Sequence, residues 1–364
     1  MSAADGMFMS VNERKIEHGG DWAGFLDRCG RMPLDFSASV SPLGLPAGVR
    51  EAVIRSLDTS DRYPDPGCRA LRRAIAAEYA LPETQVVCGN GAADLIDRIC
   101  RALHPKRALL PVPTFQEYER ALQSVGCAVE HVPLRAEQDF APEIQLLTAK
   151  LREDTDLVFF CNPNNPTGRL AGRDELKSLL SACRRAGARL VVDECFLDFT
   201  EEPNRHTLLG ELSAWPELIL LHAFTKTHAM AGLRLGYALC GNSAVAEALS
   251  NVGQPWPVSA PAQAAGIAAL HERDYLSGLR ALITRERERL LRELSDLWLR
   301  VIPGEANFLL FYCGKSDLDM TLSQRGILIR SCAAFPGLGD GWYRIAIRTE
   351  EENSALLYAL KEVL

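Results

Sequence analysis

The sequence predicts an α/β fold, with a large domain built on a mainly parallel sheet flanked by helices and a smaller α+β domain. From about residue 51 to residue 240, short apolar runs alternate with amphipathic stretches of helical length, which is typical of strand–helix repeats. After Pro255 and Pro257 this alternation ends, and a long charged helical stretch leads to three short apolar runs. The chain of 364 residues is also longer than one ordinary core organises, which favours two domains.

Each predicted element follows from its local pattern. The predicted strands of the large sheet are the apolar runs at 85–88, 108–110, 157–161, 189–193, 218–221 and 235–240. The small domain is predicted to hold a helix over 275–298, strands at 307–311, 327–330 and 342–348, and a terminal helix from about Glu351. We therefore expect residues 51–254 to form the large domain, and residues 1–50 together with 255–364 to form the small one.

Composition narrows the class of function. Apolar residues make up 47% and charged residues 24%, values close to those of an average globular protein. The net charge of -7, with Lys and Arg scattered, argues against a nucleic-acid partner. No run of 18 apolar residues and no leader-like N-terminus appears, so we expect a cytoplasmic protein without a membrane partner. The cysteines number eleven, several lie in apolar runs, and no metal-binding spacing appears, so we expect free thiols.

A glycine-containing turn at 88–94 follows a predicted strand and opens a helix. Free N–H groups and the helix dipole make such a terminus an anion site, and glycine permits close approach. The run does not complete the GxGxxG dinucleotide pattern. By itself this signal is weak, and an ordinary glycine turn is the alternative.

Two polar motifs follow the next strands. Asn162 begins the run Asn-Pro-Asn-Asn-Pro-Thr-Gly at the carboxyl end of one strand, where open α/β sheets place ligands. Asp193 ends the apolar strand 189–193, where a carboxylate is costly unless it meets a cation or strong donors. A protonated pyridine nitrogen would be such a cation. A structural turn and a helix cap are the alternatives for these two residues.

Lys226 lies among small and apolar residues in the stretch 223–237. Desolvation lowers the pKa of such an amine, as nucleophilic and Schiff-base lysines require. Arg234 follows eight residues later and could bind a phosphate through its guanidinium fork. A solvated surface charge is the alternative for a single lysine in a loop.

In order and spacing these four motifs resemble the fold-type-I pyridoxal-phosphate enzymes of the aspartate-aminotransferase superfamily. The resemblance implies pyridoxal 5'-phosphate as cofactor, Lys226 as its Schiff-base lysine and proton carrier, and Asp193 as partner of the pyridine nitrogen. It implies that Asn162 donates to the ring hydroxyl. It further implies that the phosphate is held by Gly91, Ala92, Thr225 and Arg234. Phe115 would stack on the ring, and Tyr63 would reach the phosphate of a second subunit, which implies a homodimer.

The same resemblance is closest to the threonine-phosphate decarboxylases and histidinol-phosphate aminotransferases. It implies a phosphorylated amino-acid substrate contacted by His18, Gly19, Ser37, Asn162, Arg330, Arg344 and Arg348. Arg344 and Arg348 are four residues apart on the predicted strand 342–348, so strand alternation places both on one face. With Arg330 they would make three converging arginines, which suits a substrate that carries a phosphate as well as a carboxylate. Phe196 and Ala223 depart from the usual aminotransferase pattern, which has a tyrosine and often a serine there. We therefore expect decarboxylation of L-threonine O-3-phosphate to (R)-1-aminopropan-2-yl phosphate, a step of cobalamin biosynthesis. The alternatives are an aminotransferase acting on histidinol phosphate or another amino acid with 2-oxoglutarate, and a non-enzymatic cofactor-binding regulator.

Overall fold

The computed structural model describes residues 19–364. Its strands are β1 (Leu34–Asp35), β2 (Val86–Gly89), β3 (Arg107–Val112), β4 (Ala128–Pro133), β5 (Leu157–Cys161), β6 (Arg189–Asp193), β7 (Leu218–Ala223), β8 (Gly236–Cys240), β9 (Arg300–Ile302), β10 (Phe308–Tyr312), β11 (Ile327–Leu328), β12 (Arg330–Ser331) and β13 (Trp342–Ala346). Its helices are α1 (Trp22–Cys29), α2 (Ala47–Ser56), α3 (Arg69–Glu78), α4 (Ala92–Leu103), α5 (Glu117–Ser124), α6 (Ile144–Lys150), α7 (Arg173–Ala186), α8 (Phe224–Thr227), α9 (Ser243–Asn251), α10 (Ala260–Ala269), α11 (Arg273–Asp296), α12 (Leu318–Gln324) and α13 (Glu350–Val363).

The large sheet has seven strands in the order β2-β8-β7-β6-β5-β3-β4. The pairs from β7 to β4 are parallel, whereas β8 runs antiparallel to both β2 and β7. Because the parallel strands point the same way, the residues that end β5, β6 and β7 lie at one edge of the sheet. That edge is where an open α/β sheet binds its ligand.

Helices cover both faces of this sheet. Leu109, Val158 and Leu190 face a core that α2, α3, α7 and α10 complete, and their neighbours Leu110, Phe159 and Val191 face a second core under α4, α5 and α9. Burial on both faces explains why these strands read as unbroken apolar runs. The predicted fold class is confirmed.

A second layer of strands belongs to the C-terminal part of the chain. These strands form an antiparallel sheet in the order β12-β13-β10-β9. Helices α11, α12 and α13 pack on this sheet through a separate apolar core. The N-terminal arm joins it, since β1 pairs with β11 in parallel. Among the helices of residues 19–364, none combines the length and the apolar character needed to cross a lipid bilayer.

The limits of the individual elements differ from prediction in a few places. The strand 128–133 was not predicted, because as an edge strand it buries only Val132 and lacks an apolar run. The predicted strand 327–330 is divided between two sheets. Helix α10 packs on α2 and on the core of the large sheet, although the predicted division at residue 254 assigns it to the small domain. The division into domains stays a prediction, and this packing favours a boundary close to residue 272.

Candidate active site

A cavity of about 410 Å³ opens at the carboxyl-terminal edge of the large sheet. The last residues of three neighbouring strands line it, namely Cys161, Asp193 and Ala223. Of the residues predicted for the site, it brings together Gly19, Ser37, Ala92, Phe115, Asp193, Thr225, Lys226, Arg234, Arg330 and Arg344. The motifs that are distant in the sequence therefore meet in one place.

Lys226 lies on α8, the single helical turn that follows β7. Burial lowers the pKa of its amine to about 8, and the nearby positive charge of Arg344 acts in the same direction. Because the neutral amine is the nucleophile, this lysine is prepared to react with an aldehyde close to neutral pH.

Asp193 ends β6 and is only 5% exposed. Its Oδ2 accepts a 2.6 Å hydrogen bond from the Tyr118 hydroxyl, and its Oδ1 accepts one of 3.0 Å from the backbone N–H of Cys195. These two donors fix the orientation of the carboxylate toward the cavity. An anion held in this way is suited to pair with a cation in the cavity.

The N-terminus of α4 forms a cradle for an anion. Gly91 has φ 82°, and a Cβ at this position would lie 2.7 Å from Nη2 of Arg234. A Cβ at Gly236 would lie 2.9 Å from the backbone nitrogen of Ala92. Both glycines are needed for the close approach of backbone and guanidinium, and the free N–H groups of the helix point into the same region. Thr225 borders the cradle and is 4% exposed.

Two arginines face the cavity from neighbouring strands. Arg330 on β12 is directly opposite Arg344 on β13 in the antiparallel register. Arg344 donates from Nη1 to Asn165 Oδ1 and from Nη2 to the carbonyl of Ser37, at 3.1 Å, whereas its buried Nε has no partner among residues 19–364. Burial lowers the pKa of Arg344 to about 10. Two guanidinium groups side by side repel each other, so this arrangement is suited to bind anionic groups.

The N-terminal arm closes one side of the cavity. Ser37 is 5% exposed, and its hydroxyl accepts a 2.7 Å hydrogen bond from the backbone N–H of Gly20. A Cβ at Gly19 would lie 2.2 Å from the carbonyl oxygen of Ser37, so only glycine permits this close approach. His18, also predicted to contact substrate, lies outside the described residues.

The structure corrects the role predicted for Asn162. Its side-chain amide accepts from the N–H of Ala171 and donates to the carbonyl of the same residue, at 2.7 and 3.3 Å. Since Cys161 faces the cavity and successive residues of an extended chain face opposite ways, Asn162 faces away from it. Asn165 from the same motif lines the cavity instead.

Arg348 is likewise not brought to the cavity. Strand β13 ends at Ala346, so the alternation that would place Arg348 beside Arg344 does not continue. Its Nη2 donates to Glu352 at 2.6 Å and its Nη1 to the carbonyl of Asp35 at 3.2 Å. The prediction of a third converging arginine is therefore corrected.

Tyr63 does not line the cavity of its own chain. It is 79% exposed, and its ring stacks on Trp256 with the ring centroids 4.4 Å apart. Its predicted role in a second subunit stays a prediction.

Three further residues enter the site that the sequence analysis did not single out. Tyr118 bonds to Asp193 and stacks on Phe159, and Cys195 and Asn165 border the cavity. Tyr118 follows Phe115 by three residues, and the two rings meet edge to face at 5.5 Å, but the same spacing is found in ordinary core pairs and does not identify the residue. Phe196 packs against Phe308 and provides no hydroxyl.

The residues present fit pyridoxal 5'-phosphate. Lys226 is an amine of lowered pKa for the aldehyde, Asp193 an oriented carboxylate for the ring nitrogen, and the glycine cradle with Arg234 an anion site for the phosphate. Phe115 supplies an aromatic surface on the cavity wall. When bound, this cofactor supplies an electron sink for a bond at the substrate Cα.

Comparison with known proteins agrees with this site. The model of the family "Aminotransferase class I and II" matches residues 31–360. The threonine-phosphate decarboxylase of Salmonella typhimurium is 38% identical over 91% of this chain and 91% of its own, and a histidinol-phosphate aminotransferase of Ralstonia nicotianae is 30% identical over 90% and 88%. The histidinol-phosphate aminotransferase of Sinorhizobium meliloti, solved in complex with pyridoxal-5'-phosphate, has a TM-score of 0.86 at 24% identity and covers 100% of this chain and 99% of its own. The predicted resemblance is confirmed, and the chain belongs to the aminotransferase class I and II family.

Proposed function

We propose that this protein uses pyridoxal 5'-phosphate to decarboxylate L-threonine O-3-phosphate, with (R)-1-aminopropan-2-yl phosphate as product, in cobalamin biosynthesis. The observation that carries the proposal is the pair formed by Arg330 and Arg344 in the cavity of Lys226 and Asp193. The substrate carries a phosphate beside its carboxylate, and two neighbouring guanidinium groups are suited to hold the doubly charged phosphate. The similarity to the Salmonella decarboxylase over nine tenths of both chains supports the same substrate.

Each residue has a defined part in the proposed reaction. Lys226 would hold the cofactor through its amine and would carry the proton at the substrate Cα position. Asp193 keeps the ring nitrogen protonated, so that electrons can leave the substrate. Gly91, Ala92, Thr225 and Arg234 hold the cofactor phosphate, and Phe115 packs on the ring. Asn165 replaces Asn162 as the proposed donor to the ring hydroxyl.

Decarboxylation requires that the arginines hold the phosphate and leave the carboxylate free to depart. An aminotransferase would instead hold the carboxylate firmly and remove the Cα proton with Lys226. The second candidate is a histidinol-phosphate aminotransferase, favoured by relatives such as that of Ralstonia nicotianae.

Product analysis of the holoenzyme with each substrate separates the two functions. One reaction contains threonine phosphate alone, and the other contains histidinol phosphate with 2-oxoglutarate. We expect aminopropanol phosphate as the product of the reaction with threonine phosphate. The kcat/KM of this reaction should be at least about a hundredfold above that of the reaction with histidinol phosphate, because one unmatched charged contact changes kcat/KM by about this factor. A kcat/KM for the second reaction, which forms glutamate, equal to or above that of the first would overturn the proposal.

Replacing Arg344 by leucine should lower kcat/KM for threonine phosphate by about 10- to 150-fold. The reason is the loss of charge-assisted hydrogen bonds, each contributing roughly 1.5–3 kcal/mol. Arg348→Leu is the matched control, because Arg348 lies four residues away and is held by Glu352 outside the cavity. Steady-state kinetics of both variants check this, and equal losses in the two would contradict the assignment.

Replacing Tyr118 by phenylalanine should lower kcat by about tenfold and change the pH dependence of cofactor absorbance. Without this 2.6 Å hydrogen bond, the Asp193 carboxylate loses one of the two donors that fix its orientation, so it would hold the ring nitrogen less firmly. Tyr79→Phe is the control, since the Tyr79 hydroxyl is also buried but pairs with Tyr237. Absorbance titrations that do not distinguish the two variants would refute this role for Tyr118.

The rate at which cofactor-free protein attaches pyridoxal phosphate should rise about tenfold per pH unit up to about pH 8, the pKa to which burial lowers Lys226, and then level off. The rate rises with pH because only the neutral amine attacks the aldehyde, and a lowered pKa makes the neutral amine available at lower pH. Stopped-flow absorbance measures this rate. A rate that continues to rise toward pH 10.5, the ordinary pKa of a lysine, would contradict the lowered pKa.

The proposal includes a homodimer in which Tyr63 reaches the cofactor phosphate of the partner. What supports it is the 79% exposure of Tyr63 and its position outside the cavity of its own chain. Tyr63→Phe should then weaken cofactor retention without changing the fold.

A further inference from the structure

A second, smaller cavity of about 360 Å³ lies beside β2 and α3. Within the described part of the chain it shares no lining residue with the candidate active site. Its wall contains Cys68 and Cys88, together with the side chains of Arg72 and Arg98. Two thiols and two guanidinium groups thus meet in a space that the proposed reaction does not use.

Both cysteines line this cavity and belong to one apolar core, and each thiol is near enough to shift the pKa of the other. Both cysteines are free, and they are 2% and 5% exposed. Cys68 caps the N-terminus of the ten-residue helix α3 with φ 46°, and Cys88 lies on β2, three residues before Gly91. The start of α3 and strand β2, which are neighbours in the fold, therefore each bring one thiol to the cavity.

The groups around Cys68 and Cys88 shift the pKa values of the two thiols in opposite directions. The hydrogen bond from Cys88 lowers the pKa of the Cys68 thiol, and Arg72 and Arg98 act in the same direction against burial and Asp65. The same hydrogen bond, reinforced by burial, raises the pKa of Cys88. The helix N-terminus also favours a thiolate at position 68. The Nε of Arg72 is buried without a partner among residues 19–364, so one guanidinium donor stays available to an anion.

Other buried cysteines differ from Cys68, because their surroundings raise the pKa of the thiol. Burial raises the pKa of Cys100, Cys183 and Cys240 to about 12, which is the behaviour of inert core thiols. Cys100 also lies close to a second thiol, that of Cys127, whose pKa burial raises to about 11. In this second pair burial outweighs the one guanidinium that acts on it, that of Arg107, so the pair is the natural comparison.

We propose that Cys68 and Cys88 are a redox pair that a hydroperoxide oxidises to a disulfide. The Cys68 thiolate attacks the O–O bond, so that its sulfur loses two electrons and becomes a sulfenic acid while the peroxide leaves as water or an alcohol. The Cys88 sulfur then attacks the Cys68 sulfur, the S–O bond breaks, and the hydroxide leaves with the Cys88 proton as water. In sum, two thiols and one hydroperoxide give a disulfide, one water and one water or alcohol.

The test treats the holoenzyme with hydrogen peroxide, blocks the remaining thiols with iodoacetamide and maps the peptides by mass spectrometry. We expect a linked peptide pair containing Cys68 and Cys88, two hydrogens lighter than the sum of its parts and separated by dithiothreitol. Cys100 and Cys127 should carry the blocking group. Absence of the linked pair, or linkage of both pairs to the same extent, would overturn the proposal.

Two variants assign the roles within the pair. In Cys88→Ser, Cys68 should stop at the sulfenic acid and react with dimedone, because no second thiol can displace the oxygen. In Cys68→Ser, Cys88 should stay reduced under the same treatment. A Cys68→Ser protein in which Cys88 is oxidised at the wild-type rate would contradict the roles. If either variant fails to fold, the peptide map of the unmodified protein still decides the pairing.

Discussion

Replacing Lys226 by alanine should abolish covalent attachment of the cofactor and lower kcat by at least about 10³-fold. The loss combines the missing nucleophile with the missing proton carrier, and proton transfer by a positioned group alone contributes about 10²- to 10⁴-fold. Borohydride reduction followed by peptide mapping measures the attachment directly. In the unmodified protein the reduced cofactor should be found on Lys226, the amine that borders the cavity.

The matched control is Lys177→Ala. Lys177 lies on the outer side of α7, where its amine pairs with Glu211 at 3.3 Å. This variant should retain both covalent attachment and activity, since an exposed ion pair contributes little. Cofactor attached to a lysine other than Lys226 in the unmodified protein would refute the assignment.

The second large effect is expected at Asp193. Replacing it by asparagine keeps the shape and removes the charge, so a cation on the ring nitrogen would lose its buried partner. Breaking a buried ion pair on one side costs about 3–5 kcal/mol, which corresponds to a loss of about 10²- to 10⁴-fold in kcat. Kinetics and the pH dependence of cofactor absorbance measure this effect together.

Glu194→Gln provides the control for that loss, because it makes the same chemical change at the next residue. The Glu194 carboxylate is buried but faces away from Asp193, where it accepts hydrogen bonds from the Thr207 hydroxyl at 2.7 Å and from the Leu208 N–H at 3.0 Å. Removing the charge of Glu194 should leave kcat within severalfold of the kcat of the unmodified protein. Equal loss in both variants would mean that charge at this edge of the sheet, rather than a contact with the cofactor, explains the effect.

The cofactor part of the site could be predicted because its residues end strands or begin helices. Asp193 and Lys226 follow apolar runs whose strands are parallel neighbours, so sequence position determines that their side chains meet. Gly91 similarly opens α4 directly after β2. In each case the local pattern also determines the location in the fold.

The positions of the substrate-binding residues could not be predicted in full, because the local sequence pattern does not show which way a side chain faces where a strand ends. The motif that begins at Asn162 offers three asparagines, and the direction of Cys161 at the end of β5 decides which of them faces the cavity. Arg348 was predicted from strand alternation, but β13 ends two residues earlier and the capping box at Thr349 places Glu352 beside the guanidinium. Both errors arise where an element ends, and sequence patterns locate such ends poorly.

Tyr118 illustrates a different limit. Its hydroxyl bonds to Asp193 across 75 residues of sequence, and its ring stacks on Phe159 of β5, the strand next to β6. A tyrosine on an amphipathic helix is usually a core residue, and nothing in the local pattern distinguishes this one. Residues that position other residues through tertiary packing are therefore found from the structure.

The fate of the substrate carboxyl group tests the proposed function most directly. Holoenzyme is incubated with L-threonine O-3-phosphate labelled in that group, without any 2-oxo acid. The proposal predicts labelled carbon dioxide in large molar excess over enzyme, with one aminopropanol phosphate formed for each carbon dioxide. Retention of the label in a non-volatile product, accompanied by transfer of the amino group once 2-oxoglutarate is added, would contradict it.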